Sequence, residues 1–174
     1  MTLISRPEPA EFPSFYLRYV DAVPPERDLV TALDEDHRAT VSWLRGVPSG
    51  LEQHRYAAGK WSVREVIGHI ADCERVFAYR LVAIARGDTT SLPGFDQDAW
   101  LEVARFDRRP LAGLLDEWTA VRDATLALVR TLTEEEAARM GSANGAPISV
   151  RALAWIIAGH ELHHVHLLQE LYGL

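Results

Sequence analysis

The pattern of apolar and polar positions along the chain predicts four long amphipathic helices. Apolar residues recur every three or four positions over about 26–45, 62–86 and 110–132, and again from 149 to near the end of the chain. This spacing places them on one face of a helix. No segment of comparable length alternates as a strand does. In the first helix the apolar face holds Leu29, Val30, Leu33, His37, Val41 and Leu44.

Residues at the helix ends support this interpretation. Ser62 and Glu65 form a capping box, in which the serine hydroxyl accepts from the Glu65 amide and the Glu65 side chain reaches back. Pro110 suits the first turn of the third helix, and Ser149 is a typical cap for the last helix. Gly87 is placed to end the second helix.

The other segments are predicted to be connections and a terminal arm. Residues 1–25 contain five prolines and are expected to form an irregular arm that packs through its aromatic residues. A polar loop is expected after Gly87, and a short helix from a capping box at Thr133. Asn144 followed by Gly145 predicts the tight turn of a small hairpin.

These elements predict an all-α protein, a four-helix bundle. A length of 174 residues favours one domain, which we place at 26–174 after the arm at 1–25. The connection between the second and third helices exceeds 20 residues, so a simple up-down-up-down order is not required.

Charge and composition exclude several classes of function. The chain has 18 basic and 25 acidic residues, a net charge of -7, and no basic patch, so we expect no nucleic-acid partner. The single cysteine, Cys73, rules out an intrachain disulfide. The N-terminus lacks the pattern of a signal peptide and no run of 18 apolar residues occurs, so we expect a cytoplasmic protein that does not cross a membrane.

Histidine is the conspicuous residue type. Four of the 7 histidines lie within seven residues near the C-terminus. At about 100° per residue, His160 and His164 share the apolar face of the last helix. His163 lies outside that face and His166 points to the opposite side, so we expect neither to belong to a site.

The two inward histidines indicate a metal site. Imidazoles at positions i and i+4 can bind one ion, and a third from a facing helix would leave an open position for water or substrate. His69, at the edge of the second helix's apolar face, is the best third ligand, and His37 is the second candidate. A buried polar cluster without metal is the alternative, because neutral imidazoles also need partners when buried.

The run from His160 to His164 also matches the H-E-x-x-H pattern of zinc metalloproteases, in which Glu161 would be the general base. Only ten residues follow His164, which leaves little room for a downstream ligand. No sheet is predicted that would hold an extended peptide. A metalloprotease is therefore the less favoured interpretation, and Glu161 is kept as a candidate base or orienting residue.

Two arginines also lie on inward faces. Arg80 is close to the direction of His69, and Arg122 lies within the apolar face of the third helix. Buried arginines need partners, so we expect pairing with Glu161 or Asp34. The functional alternative is that one of them meets an anionic substrate near the metal.

Two further residues are candidates for the surroundings of the site. Cys73 lies one turn beyond His69 and could be a thiolate ligand, although a small core residue is the favoured interpretation. Trp61 precedes the Ser62 cap and is placed to line the mouth of the site.

Four stretches resemble the DinB/YfiT-like proteins, a superfamily of metal-binding four-helix bundles. They are GKWSVREVIGHIAD at 59–72, FAYR at 77–80, LPGFD at 92–96 and AGHELHH at 158–164. The resemblance covers about 29–172. It implies up-down-down-up topology and a divalent metal, commonly nickel or zinc, held by His69, His160 and His164.

The resemblance also implies a range of activities. Members include S-transferases and isomerases that use low-molecular-weight thiols, and proteins named as metal-dependent hydrolases; many form homodimers. We therefore expect a metal-dependent transferase or hydrolase acting on a small molecule. The alternative is a non-catalytic metal-binding stress-response or interaction protein.

Overall fold

The computed structural model describes residues 4–174 and confirms a helical bundle with one small hairpin. Strands β1 (Met140–Ala143) and β2 (Ala146–Ser149) pair antiparallel around Asn144 and Gly145, as predicted. In chain order the helices are α1 (Leu17–Ala22), α2 (Leu29–Thr31), α3 (His37–Arg45), α4 (Val63–Ala85), α5 (Gln97–Ala104), α6 (Leu111–Val129), α7 (Glu134–Ala138) and α8 (Val150–Tyr172). A π-helical turn (Ala32–Asp36) joins α2 to α3, so that 29–45 is one continuous helix.

The predicted caps hold the ends of these helices. The Ser62 hydroxyl accepts from the Glu65 amide at 3.3 Å, and the Glu65 carboxylate accepts from the Ser62 amide at 2.6 Å. Thr133 and Glu136 form the same box at α7, and the Ser149 hydroxyl accepts from the Ala152 amide. Each cap satisfies amides that a helix start leaves without a partner.

Side-chain pairs show that α4 and α6 run in the same direction. Glu74 pairs with Arg122 at 2.8 Å, and just beyond the ends of both helices Arg86 pairs with Glu136 of α7 at 2.7 Å. The residue numbers rise together on the two sides. The segment 86–110 provides the long connection that such a parallel pair requires.

The other two bundle helices run the opposite way. As the residue number rises along 29–45, the residue number of the partner on or just after α6 falls. Asp34 contacts Arg130 at 3.0 Å, whereas His37 contacts Thr119 at 3.2 Å. The end of α8 returns to the start of α4, where the Tyr172 hydroxyl donates to the carbonyl of Trp61 at 2.7 Å. The order is therefore up-down-down-up, as the family resemblance implied.

The N-terminal segment differs from the irregular arm that its prolines predicted. It contains α1, which packs against α8. The two helices lie so close together that a Cβ on Gly159 would overlap the carbonyl group of Tyr19. Gly159 thus lets a second backbone lie directly on α8, next to His160.

The other differences lie at connections. The expected loop after Gly87 contains α5, which begins where the Asp96 side chain accepts from the amides of Asp98 and Ala99. Pro110 is the cap residue before α6 and not its first residue, and α6 ends three residues before the predicted 132. In the described part of the chain, no helix combines the length and apolar character that crossing a membrane requires.

Gly159→Ala tests the close packing of α1 on α8. We expect it to lower the free energy of unfolding by about 1–3 kcal/mol, since the added methyl group must displace backbone. Urea unfolding followed by circular dichroism measures this. The control is Gly113→Ala at an exposed position of α6, where a Cβ meets nothing within 4 Å and should raise stability by about 0.5–1 kcal/mol. Equal effects of the two changes would contradict the packing role.

Candidate metal centre

Three histidines from two facing helices meet in the core. His69 comes from α4, and His160 and His164 come from successive turns of α8. One ring nitrogen of each lies within 4.8 Å of those of the other two. These are the three residues that helix geometry and the family resemblance both selected. No other His, Cys, Asp or Glu within residues 4–174 joins this group.

Burial keeps the three imidazoles neutral. All three are less than one-tenth exposed. Burial lowers the pKa of His69 to about 4. It also lowers the pKa of His160 and His164 well below the ordinary value, and their histidine neighbours add to the effect. The neutral imidazole is the form that binds metal ions.

The donor set fits a divalent transition-metal ion. The Nε2 atoms of His160 and His164 lie 3.2 Å apart, and no carboxylate forms an ion pair with any of the three rings in the described residues. Three neutral nitrogen donors facing one point are the ligands that zinc and nickel accept, and three protein ligands leave a position open.

His37 and Cys73 do not complete this group. The His37 Nε2 atom lies 3.2 Å from the Thr119 hydroxyl, and its ring packs edge-on against Trp118 at 4.5 Å. Cys73 lies beside His69, with its Sγ 3.6 Å from both ring nitrogens. Burial raises the pKa of the Cys73 thiol to about 12, so the thiolate form that binds metal is disfavoured.

A cavity adjoins the cluster on each of two sides. One, of about 280 Å³, reaches His164 and is lined by Trp61, Lys60 and Tyr172 among others. Trp61 lines this cavity, and its ring lies 4.6 Å from the His69 ring. The second cavity, of about 200 Å³, reaches His160 and Cys73.

The Glu161 side chain points away from the histidine cluster, so it is not placed to act as a general base there. Its carboxylate accepts from Arg122 at 2.7 Å, and both side chains are fully buried. Burial raises the pKa of Glu161, and the charge and hydrogen bonds of Arg122 offset this only in part. The partners of Glu161 lie on α6 and α3, outside the histidine cluster, so the H-E-x-x-H spacing does not place a base at the metal.

Arg122 pairs with Glu161, as predicted, and also with a residue that sequence analysis missed. Its Nε and Nη2 atoms donate to the two oxygens of Glu74 at 2.8 Å, and Nη1 donates to the Leu33 carbonyl at 2.9 Å. Trp118 donates to Glu74 at 2.9 Å. Burial alone would raise the pKa of Glu74, but Arg122 holds it below its ordinary value. The signal that could have revealed this partner is Glu74 itself, a carboxylate within the mostly apolar helix α4.

Arg80 pairs with neither Glu161 nor Asp34. It is 2% exposed, and its Nη2 donates to the carbonyl of Pro93 at 2.7 Å. Sequence analysis also missed Tyr19, whose ring stands edge-on to His160 at 5.1 Å. His163 is half-buried against the same tyrosine, and His166 is exposed beside Glu170. The structure therefore leaves both of these histidines outside the cluster.

Comparison with known proteins identifies the family. The family model of the DinB superfamily matches residues 32–168, well over half of the chain. The chain belongs to the DinB superfamily. The matched region contains all three clustered histidines.

Two known proteins are similar to this chain, one in sequence and one in fold. A protein of Oceanobacillus iheyensis named "Putative metal-dependent hydrolase" is 28% identical over 112 residues, which cover 63% of this chain and 64% of that protein. The match thus spans slightly less than two thirds of that relative. The solved structure of YfiT from Bacillus subtilis, described as a probable metal-dependent hydrolase with an unusual four-helix bundle topology, superposes with a TM-score of 0.72. It is 20% identical and covers 95% of this chain and 90% of YfiT, so it shows a shared fold.

Arg122→Met tests the buried ion network. Removing the guanidinium leaves two buried carboxylates without a cation, and we expect the free energy of unfolding to fall by about 3–5 kcal/mol near pH 7. In the variant the pKa values of Glu74 and Glu161 should lie above those in the unfolded chain. The folded state then binds protons more readily, so the loss should shrink as the pH falls toward 5.

Urea unfolding at several pH values measures the effect. The control is Arg130→Met, which removes the half-exposed pair with Asp34 and should cost less than about 1 kcal/mol. A loss in Arg122→Met that equals the control, or that does not change with pH, would show that the network is not charged as described.

Proposed function

We propose that this protein is a divalent-metal-dependent enzyme acting on a small molecule. The ion, zinc or nickel, is held by His69, His160 and His164. The observation that carries the proposal is the convergence of three buried neutral imidazoles between two cavities. A purely structural metal site is closed by a fourth protein ligand, and only three are present within residues 4–174.

The chain's own residues prepare the site for chemistry. A divalent ion at three imidazoles supplies Lewis acidity, which activates a water molecule or a thiol as nucleophile. Trp61, Tyr19 and Phe77 pack around the histidine rings and exclude bulk water. With Glu161 bound to Arg122, the Glu161 carboxylate is not placed to transfer a proton at the histidine cluster.

Two reaction types fit this arrangement. The hydrolase type needs one organic substrate and water, as the names of the relatives suggest. The thiol S-transferase type needs two organic reactants. The separate cavities at His160 and His164 favour the second type, because each can hold one reactant next to the cluster.

The cytoplasmic location expected from the sequence and the homodimer implied by the family resemblance remain predictions.

Metal content tests the ligand assignment. We expect purified protein to carry about one zinc or nickel ion per chain, and His160→Ala and His164→Ala to lose nearly all of it. Mass spectrometry of the metals in desalted protein measures this. His166→Ala, an exposed histidine of the same helix, is the control and should keep full occupancy. Full occupancy in His160→Ala and His164→Ala would show that the ion binds elsewhere.

Turnover distinguishes the enzyme from the non-catalytic metal-binding protein. Metal-loaded protein is incubated with electrophiles and a panel of low-molecular-weight thiols, and separately with esters and amides. We expect metal-dependent product formation that His69→Ala abolishes, since the lost ligand removes the Lewis acid. Product from thiols alone identifies an S-transferase, and product from esters or amides identifies a hydrolase. Absence of turnover throughout a broad panel favours the non-catalytic alternative.

A further inference from the structure

The cavity at His160 contains positive charge without a matching acid. It lies between α1, α4, the segment around Phe95 and α8, and has a volume of about 200 Å³. Two arginines, Arg80 and Arg18, line it. Its lining includes no aspartate or glutamate, although acidic residues exceed basic ones in the chain as a whole.

Arg80 is a buried cation with unused donors. A guanidinium has five N–H donors; one donates to the Pro93 carbonyl at 2.7 Å, the Tyr16 hydroxyl is a second neutral partner, and the other donors are unused. Within residues 4–174 no carboxylate lies within ion-pair distance of it. The side chain also lies near the rings of Phe77 and Phe95, at 5.9 and 6.0 Å. These contacts fix its position but leave its charge uncompensated.

Arg122, the other fully buried arginine, shows how this fold compensates the charge of an arginine in its core. Arg122 has two carboxylates and a carbonyl, and its side chain is as buried as that of Arg80. Burying a charge is costly unless it is paired, so this difference needs a cause. An anion that enters the cavity would provide the missing partner.

Arg18 places a second positive charge at the rim. It is exposed on α1, and its guanidinium donates to the Tyr19 hydroxyl at 3.0 Å while lying over that ring. No acidic residue of the described chain forms an ion pair with it either. The cavity thus has one arginine at its base and one at its entrance.

Aromatic side chains form the wall between the arginines and the cluster, and Gln97 and Asn144 add neutral polar groups to the lining. Tyr16 packs edge-on against Phe77 at 6.0 Å, and Phe77 packs edge-on against His160 at 5.9 Å. A volume of about 200 Å³ suits a small molecule. A flat or alkyl body would pack along the aromatic rings of this wall.

We propose that this cavity binds the carboxylate of a small apolar substrate. Arg80 holds the carboxylate, Arg18 adds charge at the entrance, and the body of the substrate lies along Phe77 toward His160. A planar carboxylate matches the fork of one guanidinium, whereas a phosphate brings a further charge and oxygen for which no second buried cation is present in the lining. This assignment rests on the proposed function, because it names the substrate class of the same site.

Equilibrium binding tests the assignment without turnover. The probes are para-fluorobenzoate and its neutral counterpart para-fluorobenzamide, followed by fluorine NMR with zinc-loaded and with metal-free protein. We expect the benzoate to bind at least about tenfold more tightly than the amide in both forms, because a charged hydrogen bond is lost in the amide.

Substitutions locate the effect. Arg80→Met should weaken benzoate binding about tenfold or more, Arg80→Lys should keep part of it, and Arg18→Met should weaken it severalfold. Arg86→Met, at the exposed end of the same helix, is the control and should bind as the wild type does. Because Arg18 is exposed, its variant is expected to fold even if Arg80→Met does not.

The assignment would be overturned by equal binding of benzoate and benzamide, by unchanged affinity in folded Arg80→Met and Arg18→Met, or by displacement of benzoate by inorganic phosphate at equal concentration. Benzoate binding that requires zinc and ignores both arginines also overturns it, since the probe then binds the ion. These outcomes are independent of the turnover panel. Carboxylate binding without turnover removes only the enzyme proposal, and turnover without carboxylate preference removes only this one.

Discussion

The hydrogen bonds of Arg122 tie the four bundle helices together at one point. The guanidinium lies on α6 and contacts Leu33 in the first helix, Glu74 on α4 and Glu161 on α8. Each contact fixes the rotation of one helix about its own axis. With Glu161 held toward α6, the neighbouring turns of α8 direct His160 and His164 toward α4, where His69 lies. The geometry of the histidine cluster therefore depends on an ion network that is not part of it.

The separation of the ion network from the histidine cluster explains why α8 carries two kinds of buried polar group, a carboxylate and imidazoles. The carboxylates on one side share a permanent cation within the protein, and Glu161 Oε1 has no hydrogen-bond partner among residues 4–174. The imidazoles on the other side are neutral, have no charged partner among the described residues, and lie against each other. Neutral imidazoles without a charged partner are the groups of this helix that can bind a metal ion.

Much of this site could be predicted from sequence because it depends on helix periodicity. The inward direction of His160 and His164 follows from their spacing, and the apolar face of α4, which begins at the Ser62 cap, places His69 at its inner edge. Glu161 was harder to place, because the motif that contains it suggested a base and only the tertiary partner Arg122 shows otherwise. The π-helical turn at Leu33, whose carbonyl Arg122 also uses, has no local sequence signal.

The prediction failed most clearly where packing overrides local preference. The prolines of the N-terminal segment correctly indicate breaks, but the short helix between them forms against Gly159, a contact between positions far apart in the chain. That helix supplies Arg18 and Tyr19, which form the outer wall of the cavity at His160. Both residues precede the region 32–168 that the family model matches, whereas the three histidines and Arg80 lie inside it. The residues suited to holding the metal thus belong to the shared bundle, and the entrance to the cavity is built by a segment outside it.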